Sequence, residues 1–405
     1  MPTYDIAIVG GGPAGLTSGI YGARAKLKTI IFEKAIPGGQ AFTTRELVNY
    51  PGFFGETSGP YISKKIQDHA IKFGAEFVKE EVIDININLD PKVITTNKGN
   101  EYHTKAVILA PGAEPRLLNV KGEKEFKGNG VSYCATCDAE FYEGQTVIVI
   151  GNGDAAIEEA IYLTKFADKV IIVVIHDEGV VDCNKYSAEK AFNNHKIDFV
   201  WNSILDEIKG NDEVSSVIIK NLKNDSLSEI KCEGVFIYIG SLPRTGFLKA
   251  QVEMDERGYI VTNEKMGTSV PGVFAVGDAR NKYLRQVVTA VNDGAIAAVA
   301  AERYIFEEDE FKERILESPK QVIIAFWSPF IPESINRVAL LEKVVSTTDG
   351  RFRLVKIDTS RNQRIASKFK ILNVPAIYLL NQEGQKIYDL TDKIYQKDLK
   401  SVLGI

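Results

Sequence analysis

The chain has 405 residues, 44% of them hydrophobic and 25% charged, with a formal net charge of -5. That is length enough for two or three packed cores, and the composition is neither that of a disordered chain nor that of a fibre. So small a net charge points away from nucleic acid and from a membrane surface. No apolar run is long enough to span a bilayer, and Met1-Pro2-Thr3-Tyr4-Asp5 leads straight into a strand without a signal-peptide pattern, so a cytoplasmic protein is expected.

Residues 6–9 form a short apolar strand ending in Gly10-Gly11-Gly12-Pro13-Ala14-Gly15, and an alanine- and glycine-rich helix follows. This is G-x-G-x-x-G between strand and helix: the glycines make the turn, admit a pyrophosphate close to the backbone and let helix and sheet pack tightly. The helix N-terminus adds partial positive charge. A second strand over 29–32 ends in Glu33, at the spacing where an acid meets ribose hydroxyls. Pro37-Gly38-Gly39-Gln40 and Asn49-Tyr50-Pro51-Gly52 read locally as turns.

With those turns, the chain resembles the low-molecular-weight thioredoxin reductases, in which a glycine-glycine-glutamine turn and an asparagine before proline-glycine lie along the flavin. The likeness implies FAD as the first dinucleotide, held by Gly10, Gly12, Pro13, Ala14, Gly15, Glu33, Gly39, Gln40 and Asn49. It resumes at 106–113, where Gly112 is a further FAD contact and Pro111 replaces the family's usual threonine.

Cys134-Ala135-Thr136-Cys137-Asp138 carries the chemistry. Two cysteines at C-x-x-C spacing can form a reducible disulfide, and neighbouring groups can make one of them a nucleophilic thiolate. The same spacing makes half of a zinc site, but Cys183 and Cys232 stand alone and His69, His103, His176 and His195 are scattered, so no metal is expected. The resemblance implies that Cys137 faces the flavin, that Cys134 attacks the substrate disulfide and that Asp138 moves the proton. An acid in that place lets a thiolate leave as a thiol; by itself, Asp138 also reads as a turn or cap residue.

A second apolar strand over 146–150 leads into Gly151-Asn152-Gly153-Asp154-Ala155-Ala156, a G-x-G-x-x-A turn. The count that reached Glu33 from Gly10 here reaches Val174, which cannot bind a ribose hydroxyl. In the family this unit binds NADPH through a His-Arg-Arg run and a further arginine, a guanidinium cluster for the 2'-phosphate. The corresponding positions read Val174, Ile175 and His176, then Asp177-Glu178 and Val180, with Lys185 as the one cation placed to reach round. Apolar groups and carboxylates disfavour a phosphate. The expectation is therefore a protein donor, reduced ferredoxin, as in the ferredoxin-dependent members of the family. It would dock on Arg116, Lys121, Lys124 and Lys127 or on Arg280, Lys282 and Arg285.

Thr268-Ser269-Val270-Pro271-Gly272-Val273-Phe274-Ala275-Val276-Gly277-Asp278 resembles the family's second FAD motif, which adds Gly277 and Asp278, while Arg285 and Gln286 fit the segment at the flavin ring. A charged run over 307–314 reads as a linker or solvated helix. Beyond it, a strand over 322–326, an amphipathic helix over 335–345, a strand over 354–357 and Pro375 before a last strand resemble thioredoxin. Ile331 and Ser334 stand where that fold's cysteines belong, in Trp327-Ser328-Pro329-Phe330-Ile331-Pro332-Glu333-Ser334, and Ala325 replaces its buried aspartate. Without thiols this module performs no exchange.

The expected fold is α/β, with two Rossmann-like three-layer domains, one inserted in the other, and a C-terminal thioredoxin-like domain. The boundaries are 1–113 and 245–306 for the FAD domain, 114–244 for the inserted NAD(P)-like domain with the dithiol, 307–319 for a linker and 320–405 for the tail. The expected activity is FAD-dependent reduction of a separate thioredoxin through Cys134 and Cys137, by a homodimer implied by the resemblance. The alternatives are a conventional NAD(P)H-dependent thioredoxin reductase and a redox sensor or docking flavoprotein without turnover.

Overall fold

A computed structural model describes residues 3–44, 47 and 49–392; residues 393–405 of the expected tail domain lie outside that range. The chain divides into two compact units, Met1–Glu302 and Arg303–Ile405.

The first unit holds two sheets of one design. In the first sheet the strands run in the order Glu76–Val78, Thr29–Phe32, Thr3–Val9, Glu101–Leu109. Beyond Glu101–Leu109, Val273–Ala275 pairs parallel with its C-terminal half and Lys92–Thr96 antiparallel with its N-terminal half. Strands buried on both faces read as unbroken apolar runs, and Ile6, Ile8, Ile30, Ile31, Val107 and Ile108 are fully buried. Helix Pro13–Arg24 crosses from the first strand to the second.

The second sheet is wholly parallel, in the order Ile197–Val200, Lys169–Val173, Thr146–Ile150, Gly234–Ile237, Val131–Ser132. A three-stranded antiparallel sheet, Ser203–Gly210, Val214–Asn221 and Leu227–Lys231, packs Leu205, Ile208, Val217 and Ile219 against it. The chain enters and leaves this module through one ribbon, in which Ala113–Pro115 pairs antiparallel with Ser241–Pro243. Arg244 N donates to Gly112 O at 2.9 Å and Arg116 N to Gly240 O at 3.0 Å, so both crossings lie side by side.

In the second unit the strands run Phe352–Asp358, Gln321–Trp327, Ala376–Leu380, Lys386–Asp389, the first pair parallel and the others antiparallel. Helices Pro332–Ser346 and Gln363–Lys368 belong to this unit, and the Val374–Pro375 peptide is cis. The run expected as a linker over 307–319 differs from expectation: helix Val287–Phe311 continues through its start, and Phe311 and Ile315 are buried in the core of the second unit. Its charges are internal to that unit as well, Glu307 accepting from Arg303 and Arg364. Apolar residues every fourth position inside a charged run mark a packed helix face.

Candidate active site

The first glycine turn is shaped for a dinucleotide. Gly10 has φ +107°, and a Cβ there would lie 2.1 Å from Ala110 O. A Cβ on Gly15 would lie 1.9 Å from Gly10 O, whereas at Gly12 it would meet open space. The turn is thus closed toward the protein and open where a pyrophosphate approaches. Pro13 opens the helix, where its missing N–H goes unmissed, and Ala14 packs beneath. Glu33 braces the turn, accepting from Gly11 N at 2.8 Å and from Ala35 N at 2.9 Å.

Gly39 opens the short helix Gly39–Phe42, and Gln40 from that helix donates to Ala113 O, beside Gly112. Across the turn, Gly277 N donates to the buried Asp293 carboxylate at 3.1 Å. Asp278 is the telling residue. Its Oδ1 is buried without a hydrogen-bond partner, and burial raises its pKa against the pull of Lys282 and Arg285. Orphaned buried acceptors are rare unless a ligand completes them, so the open cradle and the waiting carboxylate fit FAD.

The cysteine turn lies against this lobe. Cys134 and Cys137 form a disulfide with Cα atoms 5.3 Å apart. Gln286 Nε2 donates to Thr136 Oγ1 at 3.0 Å and stands 3.8 Å from Cys134 Sγ. Asn49 Nδ2 reaches Gln286 Oε1 at 3.1 Å and Thr136 O at 3.4 Å. Two residues expected to line the flavin therefore grip the turn that carries the sulfurs.

Polar groups brace the cysteine turn from within the fold. Asp138 Oδ2 accepts from Ser132 Oγ at 2.5 Å, and Ser132 Oγ accepts from Cys134 N at 3.1 Å. Burial raises the Asp138 pKa despite that bond, which suits a group that must carry a proton. Ala135 N donates to Tyr238 Oη at 2.6 Å. The Tyr238 phenol is held well above its ordinary pKa, mainly by burial and then by the charges of Glu159 and Asp138. Burial also raises the pKa of Glu159. Sequence reading missed Ser132, Tyr238 and Glu159. Ser132 stands two residues before Cys134, but Tyr238 carries no motif and meets the turn only through the fold, and Glu159 acts on Tyr238 through its charge.

The second glycine turn has a different lining. Gly151 has φ +130°, and its Cβ would lie 2.4 Å from Tyr238 O. At the N-terminus of helix Asp154–Leu163, Asp154 Oδ1 accepts from Asn184 N at 2.7 Å and Asn184 Nδ2 at 2.9 Å. Asp182 N donates to Asn152 O at 2.9 Å, while Asp182 Oδ2 accepts from Asn152 Nδ2 at 3.0 Å and meets His176 Nε2 at 2.9 Å. Asp177 pairs with Lys223. These bonds lower the pKa values of all three acids: the Asn184 backbone N–H for Asp154, Lys223 for Asp177 and His176 for Asp182.

The strand register agrees with the count from sequence: Val9 pairs with Phe32 and Ile150 with Val173, so Val174 stands where Glu33 stands in the first unit. Val174 is fully buried in the core, and the loop beyond it returns to the glycine turn at Asp182. Lys185 opens the helix Lys185–Phe192 that Asn184 caps. The expected docking charges at Arg280 and Lys282 are corrected. Lys282 and Arg280 are largely covered and paired with Asp293 at 2.7 and 3.3 Å, so these two are structural cations, while Arg285 lies 4.1 Å from the Tyr259 ring centroid and donates to Asp278 O. Lys121 pairs with Glu207 at 2.6 Å. Cys232 is buried and its thiol is pushed up to about 12, the state of an inert cysteine.

In the second unit the thiol-free turn is knitted by hydroxyls. Ser334, fully buried, donates to Ser328 O and to Ile331 O at 2.8 Å each and accepts from Ser328 N at 3.1 Å. Ala325 is fully buried. Among the described residues no group of three or more His, Cys, Asp or Glu could hold a metal ion, and no helix is long and apolar enough to cross a membrane.

Comparison with known proteins agrees with this geometry. Residues 4–294 match the family model "Pyridine nucleotide-disulphide oxidoreductase" and residues 302–404 match "Thioredoxin". The chain is 49% identical over 316 residues to the thioredoxin reductase of Peptoclostridium acidaminophilum, covering 76% of this chain and 99% of that protein. It is 44% identical to the thioredoxin reductase of Bacillus subtilis, covering 76% and 96%. The solved thioredoxin reductase of Streptococcus pyogenes superposes with a TM-score of 0.71 at 43% identity, over 75% of this chain and 99% of that one. The Giardia duodenalis thioredoxin reductase gives 0.71 at 40% identity, over 76% and 100%. The chain belongs to the pyridine nucleotide–disulphide oxidoreductase family, as an FAD-binding thioredoxin reductase with a thioredoxin-family domain behind it.

Proposed function

We propose that the chain reduces the disulfide of a separate thioredoxin through Cys134 and Cys137, working as a cytoplasmic homodimer. The observation that carries this reading is the cysteine turn gripped by Gln286 and Asn49 with the raised Asp138 beneath it. When bound and reduced, FAD would supply the electron pair that reduces the Cys134–Cys137 bond; Gly10, Gly12, Pro13, Ala14, Gly15, Glu33, Gly39, Gln40, Asn49, Gly112, Gly277, Asp278, Arg285 and Gln286 are the residues to hold it.

The resulting dithiol does the rest. The Cys134 thiolate attacks one sulfur of the partner disulfide, forming a mixed disulfide and releasing a partner thiolate, which takes a proton from Asp138. The Cys137 thiolate then attacks Cys134 Sγ, re-forming the internal disulfide and releasing the second partner sulfur, which is protonated from solvent. The partner gains two electrons and two protons, and the enzyme pair loses two electrons. Because the turn faces Gln286 and Asn49, a protein partner reaches it only after the inserted module swings away. The hinges for that motion are the adjacent crossings at Gly112-Ala113 and Gly240-Ser241.

The electron source has two readings. Kinship with the pyridine nucleotide–disulphide oxidoreductases supports the conventional alternative, NAD(P)H. The observation that favours reduced ferredoxin is the carboxylate lining of the second glycine turn; Arg116, Lys124 and Lys127 are then the surface cations to meet it.

The test is to photoreduce the flavin anaerobically and add oxidised thioredoxin. Reoxidation of the flavin with appearance of thioredoxin thiols is expected. Cys134→Ser abolishes the thiols, and Cys137→Ser traps the mixed disulfide. Full turnover by Cys134→Ser would sink the reading.

A further inference from the structure

We infer that the second dinucleotide-type unit of this chain excludes NADPH and NADH, because its own loop over 176–184 is tied across the glycine turn and lines it with carboxylates. The inference deepens the reading above in respect of the donor alone.

A Rossmann turn binds a pyrophosphate by presenting backbone N–H groups at a helix N-terminus to a doubly charged ligand. The second glycine of each turn, Gly12 and Gly153, faces open space, so the two turns differ in the charges around them. At the second turn the first helical residue is itself an acid. Asp154 stands where the phosphate charge would come, and both Asn184 donors are already on its Oδ1. Asp182 is bound on the other side of the turn, with its N–H on Asn152 O, its carboxylate on Asn152 Nδ2 and a backbone bridge to Gly153. The loop is thus held on the turn by Asn184 on Asp154 and by Asp182 through both its backbone and its carboxylate, and two of the groups so placed are carboxylates whose pKa values their partners lower.

The ribose end is no better provided. Val174, where an acid would bind the hydroxyls, is fully buried in the core. The loop continues with Asp177 and Glu178, and the one cation paired there, Lys223, is engaged with Asp177. Glu158 lies on the same helix face, 3.5 Å from Asn184 Nδ2. His176 is held by Asp182, and Lys185, at the start of the next helix, is the exposed ammonium beside the loop. A 2'-phosphate or a pyrophosphate entering here meets Asp154, Asp177, Glu178 and Asp182 with Lys185 alone set against them. The residues present do not fit a pyridine dinucleotide, although the fold around them is that of a dinucleotide-binding unit. The unit's remaining role is mechanical: Tyr238, whose backbone O closes the Gly151 turn, holds Ala135 of the cysteine turn.

Isothermal titration of the oxidised, FAD-loaded full chain with NADPH and with NADH tests this without turnover. No saturable heat is expected up to about 1 mM, the upper end of ordinary KM values. Amide hydrogen exchange of the loop should be the same with and without 1 mM nucleotide on that scale, the Asp182 amide staying protected. Saturable binding in the micromolar range of either nucleotide, or slowed or accelerated exchange over 176–184 on adding it, overturns the inference. Failure here leaves thioredoxin reduction by the photoreduced enzyme intact, and loss of that reaction leaves this titration unaffected, so the two readings fail separately.

Discussion

The two glycine turns at Gly10 and Gly151 share strand order, a positive φ at the first glycine and a helix beginning three residues on. Both are open at the second glycine, Gly12 and Gly153, and they differ in the charged groups nearby: an orphaned acid oxygen beside the first, a loop bound by Asp182 and Asn184 at the second. The fold therefore does not decide whether a dinucleotide is bound. A handful of side chains at the turn decides it, and a unit that has lost its ligand can persist because another surface of it carries the cysteines.

The sharpest way to break this comparison is to put the same substitution into both turns. Gly10→Ala drives a Cβ into Ala110 O and is expected to yield protein without visible flavin absorbance. Gly151→Ala, equally strained, should keep its flavin and lose melting temperature, by roughly 2–4 °C for each kcal/mol of strain. Flavin loss in both variants would mean that the second turn supports the cofactor as well.

Next in size is Asp138→Asn, which keeps the shape and removes the proton; thioredoxin reduction should fall by about 10²–10⁴-fold with the flavin still reducible. The pKa of Asp138 is raised, so the wild-type rate should hold at low pH and decline as pH rises through that raised value, where the acid form is lost. A pH profile of the variant without that limb supports the assignment, and an unchanged limb removes it.

Tyr238→Phe leaves the Ala135 amide without its acceptor. About 1–3 kcal/mol of local stability should go, read as faster amide exchange at Ala135 and Cys137. Smallest is Asn184→Ala, which uncaps the helix Lys185–Phe192 and removes the Nδ2 donor from Asp154 while leaving the backbone one. It should lower stability by about 1 kcal/mol without touching flavin content or thioredoxin reduction.

Much of this site was legible in the chain because its chemistry is written in short local motifs: two glycine turns, one C-x-x-C pair and Gly277-Asp278. What was not legible depends on contacts between distant segments. Nothing near Gln286 or Asn49 announces that they meet across the cysteine turn, and nothing beside Tyr238 says that its hydroxyl lies under Ala135. Counting residues placed Val174 at the position of Glu33, and the strand register agrees; what the count does not show is that the loop beyond it brings Asp182 back to Asn152. Charge misled in the same way at Arg280 and Lys282, since the acid that buries them, Asp293, lies on another element.

The ribbon of Ala113–Pro115 and Ser241–Pro243 has an evolutionary consequence. With Arg244 bonded to Gly112 and Arg116 to Gly240, the inserted module begins and ends at one point on the host. A segment so joined is a cassette: it can be gained, exchanged or removed by recombination while the host's cut ends remain close enough to rejoin. The host sheet takes no strand from it. Lineages of such enzymes are thereby free to alter what the cassette recognises while the flavin-bearing body is inherited unchanged.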